Sequence, residues 1–91
     1  MLKIVQTPTF SRQVKKLHKN QKKDLDVAVS TILANPLVGE MKKGDLDGLQ
    51  VYKFRMVNQL MLLAYEFYEN EVRLLLVALG SHENFYRDLK K

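Results

Sequence analysis

The chain has no cysteine, so disulfides and thiolate metal sites are excluded. Two histidines without thiolates also make a poor structural zinc set. No apolar run approaches the ~20 residues needed to cross a bilayer, and the opening Met1-Leu2-Lys3-Ile4-Val5 lacks the apolar core of a signal peptide. The expectation is a soluble cytoplasmic protein that uses no metal or cofactor. Internal repeats, low-complexity tracts and linkers are missing too, and 91 residues leave room for one core, so residues 1–91 read as a single domain. Acid is the scarcer charge. Fifteen lysines and arginines face ten acids, a formal balance of +5 that favours an anionic partner.

What is present reads in order as strand, two helices, three strands and a short helix. Residues 2–5 are short, β-branched and apolar, a strand closed by Gln6-Thr7-Pro8. Thr7 can cap a helix whose first position is Pro8, where the missing N–H costs nothing. Phe10, Val14 and Leu17 share one face of that helix, predicted over 8–19, with Arg12, Lys15, Lys16 and Lys19 on the other. His18 falls on the basic face as a solvated residue. After Asn20 a second helix is predicted over 21–34, with Leu25, Ala28, Val29, Ile32 and Leu33 as its stripe and Asn35-Pro36 as its stop. Residues 37–49 hold three of the four glycines and read as a loop, with Lys42 and Lys43 at its middle. Asp45 and Asp47 are too few oxygen ligands for a calcium loop, and the glycines lack the ending of a phosphate-binding loop.

Three strands follow, over 51–57, 60–67 and 72–79. The first alternates cleanly, which puts Lys53 and Arg55 on one face of the sheet. The other two are apolar on both faces, an expectation of cover on the second face by the last segment or a partner chain. Glu66 lies inside an apolar strand and is expected to pair with Arg73. Residues 83–91 suit a short C-terminal helix capped by Ser81. The fold class is therefore α+β in two layers: an N-terminal strand and an antiparallel helix hairpin on a four-stranded, mainly antiparallel sheet, with a short C-terminal helix. The polar tail after the last strand carries His82 and Tyr86 to the sheet's edge, where two cations, an imidazole and a phenol suit a phosphate-bearing substrate, RNA foremost.

This order, together with Tyr52-Lys53-Phe54-Arg55 and the run from Gly80 to Lys90 (GSHENFYRDLK), resembles the RelE/ParE superfamily of bacterial type II toxin–antitoxin systems. The resemblance covers nearly the whole chain in element order, while its sequence signal is concentrated in the last forty or so residues. It implies one of two activities: RelE-like cleavage of mRNA, usually on the ribosome, or ParE-like poisoning of DNA gyrase without cleavage. A third reading is a binding module with the toxin fold and weak or lost activity. The resemblance implies an acidic antitoxin partner and a toxin–antitoxin hetero-oligomer. By the same resemblance Lys53 and Arg55 hold the places of the Lys-x-Lys strand, His82 that of the proton donor, and Tyr86 that of the stacking tyrosine, with Phe85 as its alternative. Lys42, Lys43 and Arg73 are further candidate phosphate contacts. Leu62 departs from the pattern, standing about where relatives carry an arginine.

The chemistry expected is metal-independent. The RNA's own 2′-hydroxyl attacks phosphorus, cations stabilise the phosphorane, and an imidazole, which exchanges protons near neutrality, serves the leaving 5′ oxygen. Lys53 is the candidate base, provided that Arg55 lowers its pKa.

Overall fold

In the computed structural model, which describes residues 3–44 and 48–85, two helices cover one face of a mixed sheet. The elements are β1 (Lys3–Gln6), α1 (Pro8–Lys15), α2 (Lys19–Ala34), β2 (Glu40–Met41), β3 (Gln50–Met56), β4 (Gln59–Tyr68) and β5 (Arg73–Ser81). The strand order is β1-β5-β4-β3-β2. β1 joins the meander at its edge, parallel to β5 with Lys3 opposite Arg73, and every other pairing is antiparallel.

The N-terminal corner follows from its sequence. Thr7 Oγ1 accepts the Phe10 N–H at 3.1 Å and donates to the Val77 carbonyl at 2.6 Å, so one hydroxyl caps α1 and ties it to β5. Val77 is the extra residue of a bulge: Ala64 pairs with Ala78, but Tyr65 pairs with Leu76. Where β1 has ended, Gln13 Oε1 takes over the exposed edge of β5 by accepting the Leu79 N–H at 2.8 Å.

Two differences from the expected architecture have local causes. α1 stops at Lys15 rather than 19 because His18 is extended (φ −76°, ψ 165°) and starts α2, its N–H bonded to Gln21 Oε1 at 2.7 Å. The sheet has five strands rather than four, since Glu40 and Met41 pair with Val51 and Gln50 inside the stretch read as loop. The expected C-terminal helix over 83–91 lies mostly outside the described residues.

The main core lies between helices and sheet, with Phe10, Leu25, Ile32, Leu63, Tyr65 and Leu74 almost wholly buried. A second, smaller cluster of Val51, Leu62, Ala64 and Phe85 lies on the opposite face. Cover of that face by the last segment is thus observed. Phe85 packs above Gly80, where a Cβ would come within 3.2 Å of its ring. Tyr65 fixes the loop that enters β2: its hydroxyl donates to the Pro36 carbonyl at 2.7 Å and accepts the Gly39 N–H at 2.9 Å. Gly39 has to be glycine, because a Cβ there would lie 2.6 Å from that hydroxyl. Gln50 Nε2 also donates to the Pro36 carbonyl, at 3.1 Å.

Candidate functional site

The face of the sheet away from the helices carries the charged residues that alternation places there. Three registers order them. Glu40 is opposite Val51, Lys53 is opposite Leu62, and Arg55 is opposite Leu60. On the far side of β4, Leu62 pairs with Gly80, and the Leu60 carbonyl accepts the His82 N–H at 3.0 Å. Arg55, Leu60 and His82 therefore form one row across the sheet, with Arg55 and His82 two strand spacings, or about 10 Å, apart.

Between these rows is an open depression of about 340 Å³, lined by Glu40, Lys42, Tyr52, Lys53, Leu62 and His82, with Val38 and Val51. His82 is exposed and also borders a smaller hollow of about 210 Å³ with Gln59, Leu60, Ser81 and Glu83. Lys53 and Arg55 are both exposed. Glu40 forms an ion pair with Lys42. The Lys42 hydrogen bond, and then its charge and that of Lys53, hold the Glu40 carboxyl below the usual carboxylate range. The depression thus holds two ammonium groups, an ionised carboxylate and an imidazole.

Lys42, Lys53 and His82 share the depression, and Arg55 lies one row along on the same face. Lys43 is exposed but does not line the depression. Arg73 is at the wrong end for a role in this site. It begins β5 while His82 follows its end, roughly 25–30 Å away along the strand. There it stacks on the Tyr68 ring at 4.5 Å and pairs with Glu71 at 3.5 Å. Glu66 is not its ion-pair partner; Glu66 accepts the Tyr68 hydroxyl at 3.0 Å, and this bond raises the Tyr68 pKa. Phe85 is 2% exposed in the second cluster, so it offers no free ring for a base. Tyr86 lies outside the described residues. Leu62 is also 2% exposed, in the cluster that Phe85 closes. Glu40 escaped the sequence reading because two paired residues give no period. The available signal was Glu40-x-Lys42 directly after Gly39. Among the described residues no group of three or more His, Cys, Asp or Glu is placed to hold a metal ion.

The model of the ParE-like toxins of type II bacterial toxin–antitoxin systems matches residues 4–90. The chain belongs to that family. No curated protein matches this ParE-like toxin. Its fold is similar to that of RelE in the intact E. coli RelBE toxin–antitoxin complex, with a TM-score of 0.72, 15% identity and coverage of 89% of this chain and 96% of that one. It is also similar to isolated E. coli RelE (TM-score 0.69, 15% identity, 99% and 97% covered). The YoeB/ParE toxin from Agrobacterium tumefaciens gives 0.70 at 17% identity, with 89% and 98% covered. At such identity the likeness is one of fold. Among the described residues no helix is long and apolar enough to cross a membrane.

Proposed function

We propose that this ParE-like toxin is a metal-independent endoribonuclease that cleaves mRNA, on the ribosome, by 2′-hydroxyl attack. The observation that carries the reading is the meeting of Glu40, Lys42, Lys53 and His82 in one depression, with Arg55 beside it. Glu40, which Lys42 keeps ionised, accepts the 2′ proton; this replaces Lys53 as the base, since an ammonium would first have to lose its own proton. The 2′ oxygen bonds to phosphorus, and Lys42, Lys53 and Arg55 stabilise the charge on the phosphorane. His82 then protonates the leaving 5′ oxygen as the P–O5′ bond breaks. The products are a 2′,3′-cyclic phosphate and a 5′-hydroxyl. Tyr86 stacks on a splayed base.

The partner in this reading is an acidic antitoxin that covers the basic face in a hetero-oligomer, and the working compartment is the bacterial cytoplasm. A small acidic protein encoded next to the toxin gene, binding the purified toxin, supports that assignment; no such neighbour counts against it. For the activity, His82→Ala should abolish growth arrest and transcript cleavage on induction, with the thermal midpoint unchanged. Undiminished cleavage in that variant removes His82 from the mechanism.

One observation favours a second reading, a gyrase poison that cuts no RNA. Leu62 is buried where the superfamily's nucleases carry an arginine, so the phosphorane would be served by one cation fewer. Accumulation of broken DNA on gyrase, without transcript cleavage, is the result that would establish it.

A further inference from the structure

Among the described residues three that are not glycine have positive φ: Val57 (47°), Asn58 (69°) and Val72 (49°). Asparagine adopts this region readily. Valine does so at a cost, because its branched Cβ crowds the following carbonyl. Val57 and Asn58 form the two-residue tip of the β3–β4 hairpin, beyond the last pair, Met56 and Gln59. Such a tip needs positive φ at both places, and Asn or Gly fills the first without strain. Valine is therefore a poor choice for the turn. It adds little to the packing either: Val57 is 43% exposed and belongs to neither core cluster.

This side chain stands next to the candidate site. The row of Arg55, Leu60 and His82 crosses the sheet two residues before Val57, roughly 7 Å away along β3. Gln59 and Leu60, at the start of β4, line the smaller hollow beside His82. The tip thus borders that hollow. It is also braced from the other layer, because Asp24 Oδ2 on α2 accepts the Val57 N–H at 2.8 Å. A strained, exposed, apolar side chain is held in a fixed position beside the imidazole.

In stacked single-stranded RNA the 2′ oxygen, the phosphorus and the 5′ oxygen do not lie in line. Attack by the 2′-hydroxyl therefore requires one base step to open. We propose that Val57 is the wedge that opens it, displacing one base of single-stranded RNA next to the scissile phosphate. Val57 is then a positioning residue whose backbone strain is retained for function. The inference deepens the nuclease reading and rests on it. Val72 is an internal control. It shares the backbone conformation and is 49% exposed, yet it precedes Arg73, at the end of β5 far from His82.

The test compares the full chain with Val57→Gly, Val57→Asn, Val57→Ile and Val72→Gly. Cleavage is followed in a translating extract at saturating toxin, with messages carrying an adenine-rich run, whose bases stack well, or a uridine-rich run, whose bases stack poorly. Val57→Gly and Val57→Asn should lose at least about tenfold in rate at the adenine-rich run and less than about threefold at the uridine-rich one. Their urea midpoints should not fall, which separates a lost wedge from lost folding. Val57→Ile, which keeps a branched apolar side chain, and Val72→Gly should cut as the wild type does. Unstacking is read separately with an adenine-rich 2′-O-methyl oligonucleotide, which cannot be cut, carrying 2-aminopurine at successive positions. The wild type should raise the emission at one position, and Val57→Asn should not. Equal losses on both messages, or no loss, overturn the wedge. So does emission that is flat with the wild type or rises equally with Val57→Asn, and cleavage by the wild type then leaves the nuclease reading intact. If no protein cuts either message while the emission still separates wild type from Val57→Asn, the nuclease reading fails and the wedge stands.

Discussion

Tyr65→Phe removes one oxygen atom and no packing volume, which makes it a clean probe of how the loop before β2 is held. In the wild type the Tyr65 hydroxyl serves two partners, the Gly39 N–H and the Pro36 carbonyl. The carbonyl keeps a second donor in Gln50 Nε2, so its loss is small. The Gly39 N–H has no such substitute and is buried; an orphaned buried donor costs about 1–3 kcal/mol. Adding about 1 kcal/mol for the lost O–H bond gives a destabilisation of roughly 2–4 kcal/mol. For a chain of this size that is a fall of about 8–30 °C in thermal midpoint. Urea denaturation and thermal melts followed by circular dichroism measure both quantities. Hydrogen exchange should speed up first at Gly39. Because the same loop carries Glu40 and Lys42 into the depression, the site should loosen along with it. A change below about 0.5 kcal/mol would mean that the loop is positioned by something else, and would refute the reasoning.

Burial also holds the Tyr65 pKa above its usual value, so the phenol stays neutral in the fold at pH values where the unfolded chain ionises. Its contribution is full below pH ~10 and is lost as the pH rises through the folded value; Tyr65→Phe should lack that alkaline loss in a pH series of urea midpoints. Val57 has φ 47° in the hairpin turn, a conformation costly to a β-branched residue. Val57→Gly should therefore stabilise by about 1 kcal/mol, read as a raised urea midpoint. Gln13→Ala frees the Leu79 N–H and should cost about 1–2 kcal/mol by the same assay. Because Lys42, and then Lys53, hold the Glu40 carboxyl below the usual carboxylate range, cleavage should keep its rate to a lower pH than an unpaired carboxylate base would allow, read from the acid side of the pH–rate profile. Glu40→Gln should lower the rate about 10²–10⁴-fold.

The elements were legible wherever one physical signal acted alone. Thr7-Pro8 announced a helix start, and the alternation through Val51, Lys53 and Arg55 placed the two cations on one face. His18 is exposed as expected, but the end of α1 was illegible because the basic stripe continues through His18 in the sequence, whereas Gln21 makes it the start of α2. β2 was illegible because two residues paired to Val51 and Gln50 carry no period of their own. Arg73 and His82 looked like neighbours in charge, but β5 holds them at opposite ends. Phe85 resembled a stacking ring by position in the chain, and only the packing above Gly80 shows it as cover for Leu62.

The chemistry of the cut ends tests the proposed cleavage most directly. Purified toxin is added to a translating extract, and the RNA fragments are mapped for terminal groups. The prediction is 2′,3′-cyclic phosphate and 5′-hydroxyl ends that disappear with His82→Ala and with Glu40→Gln. Intact RNA, or ends bearing a 5′-phosphate, would contradict it.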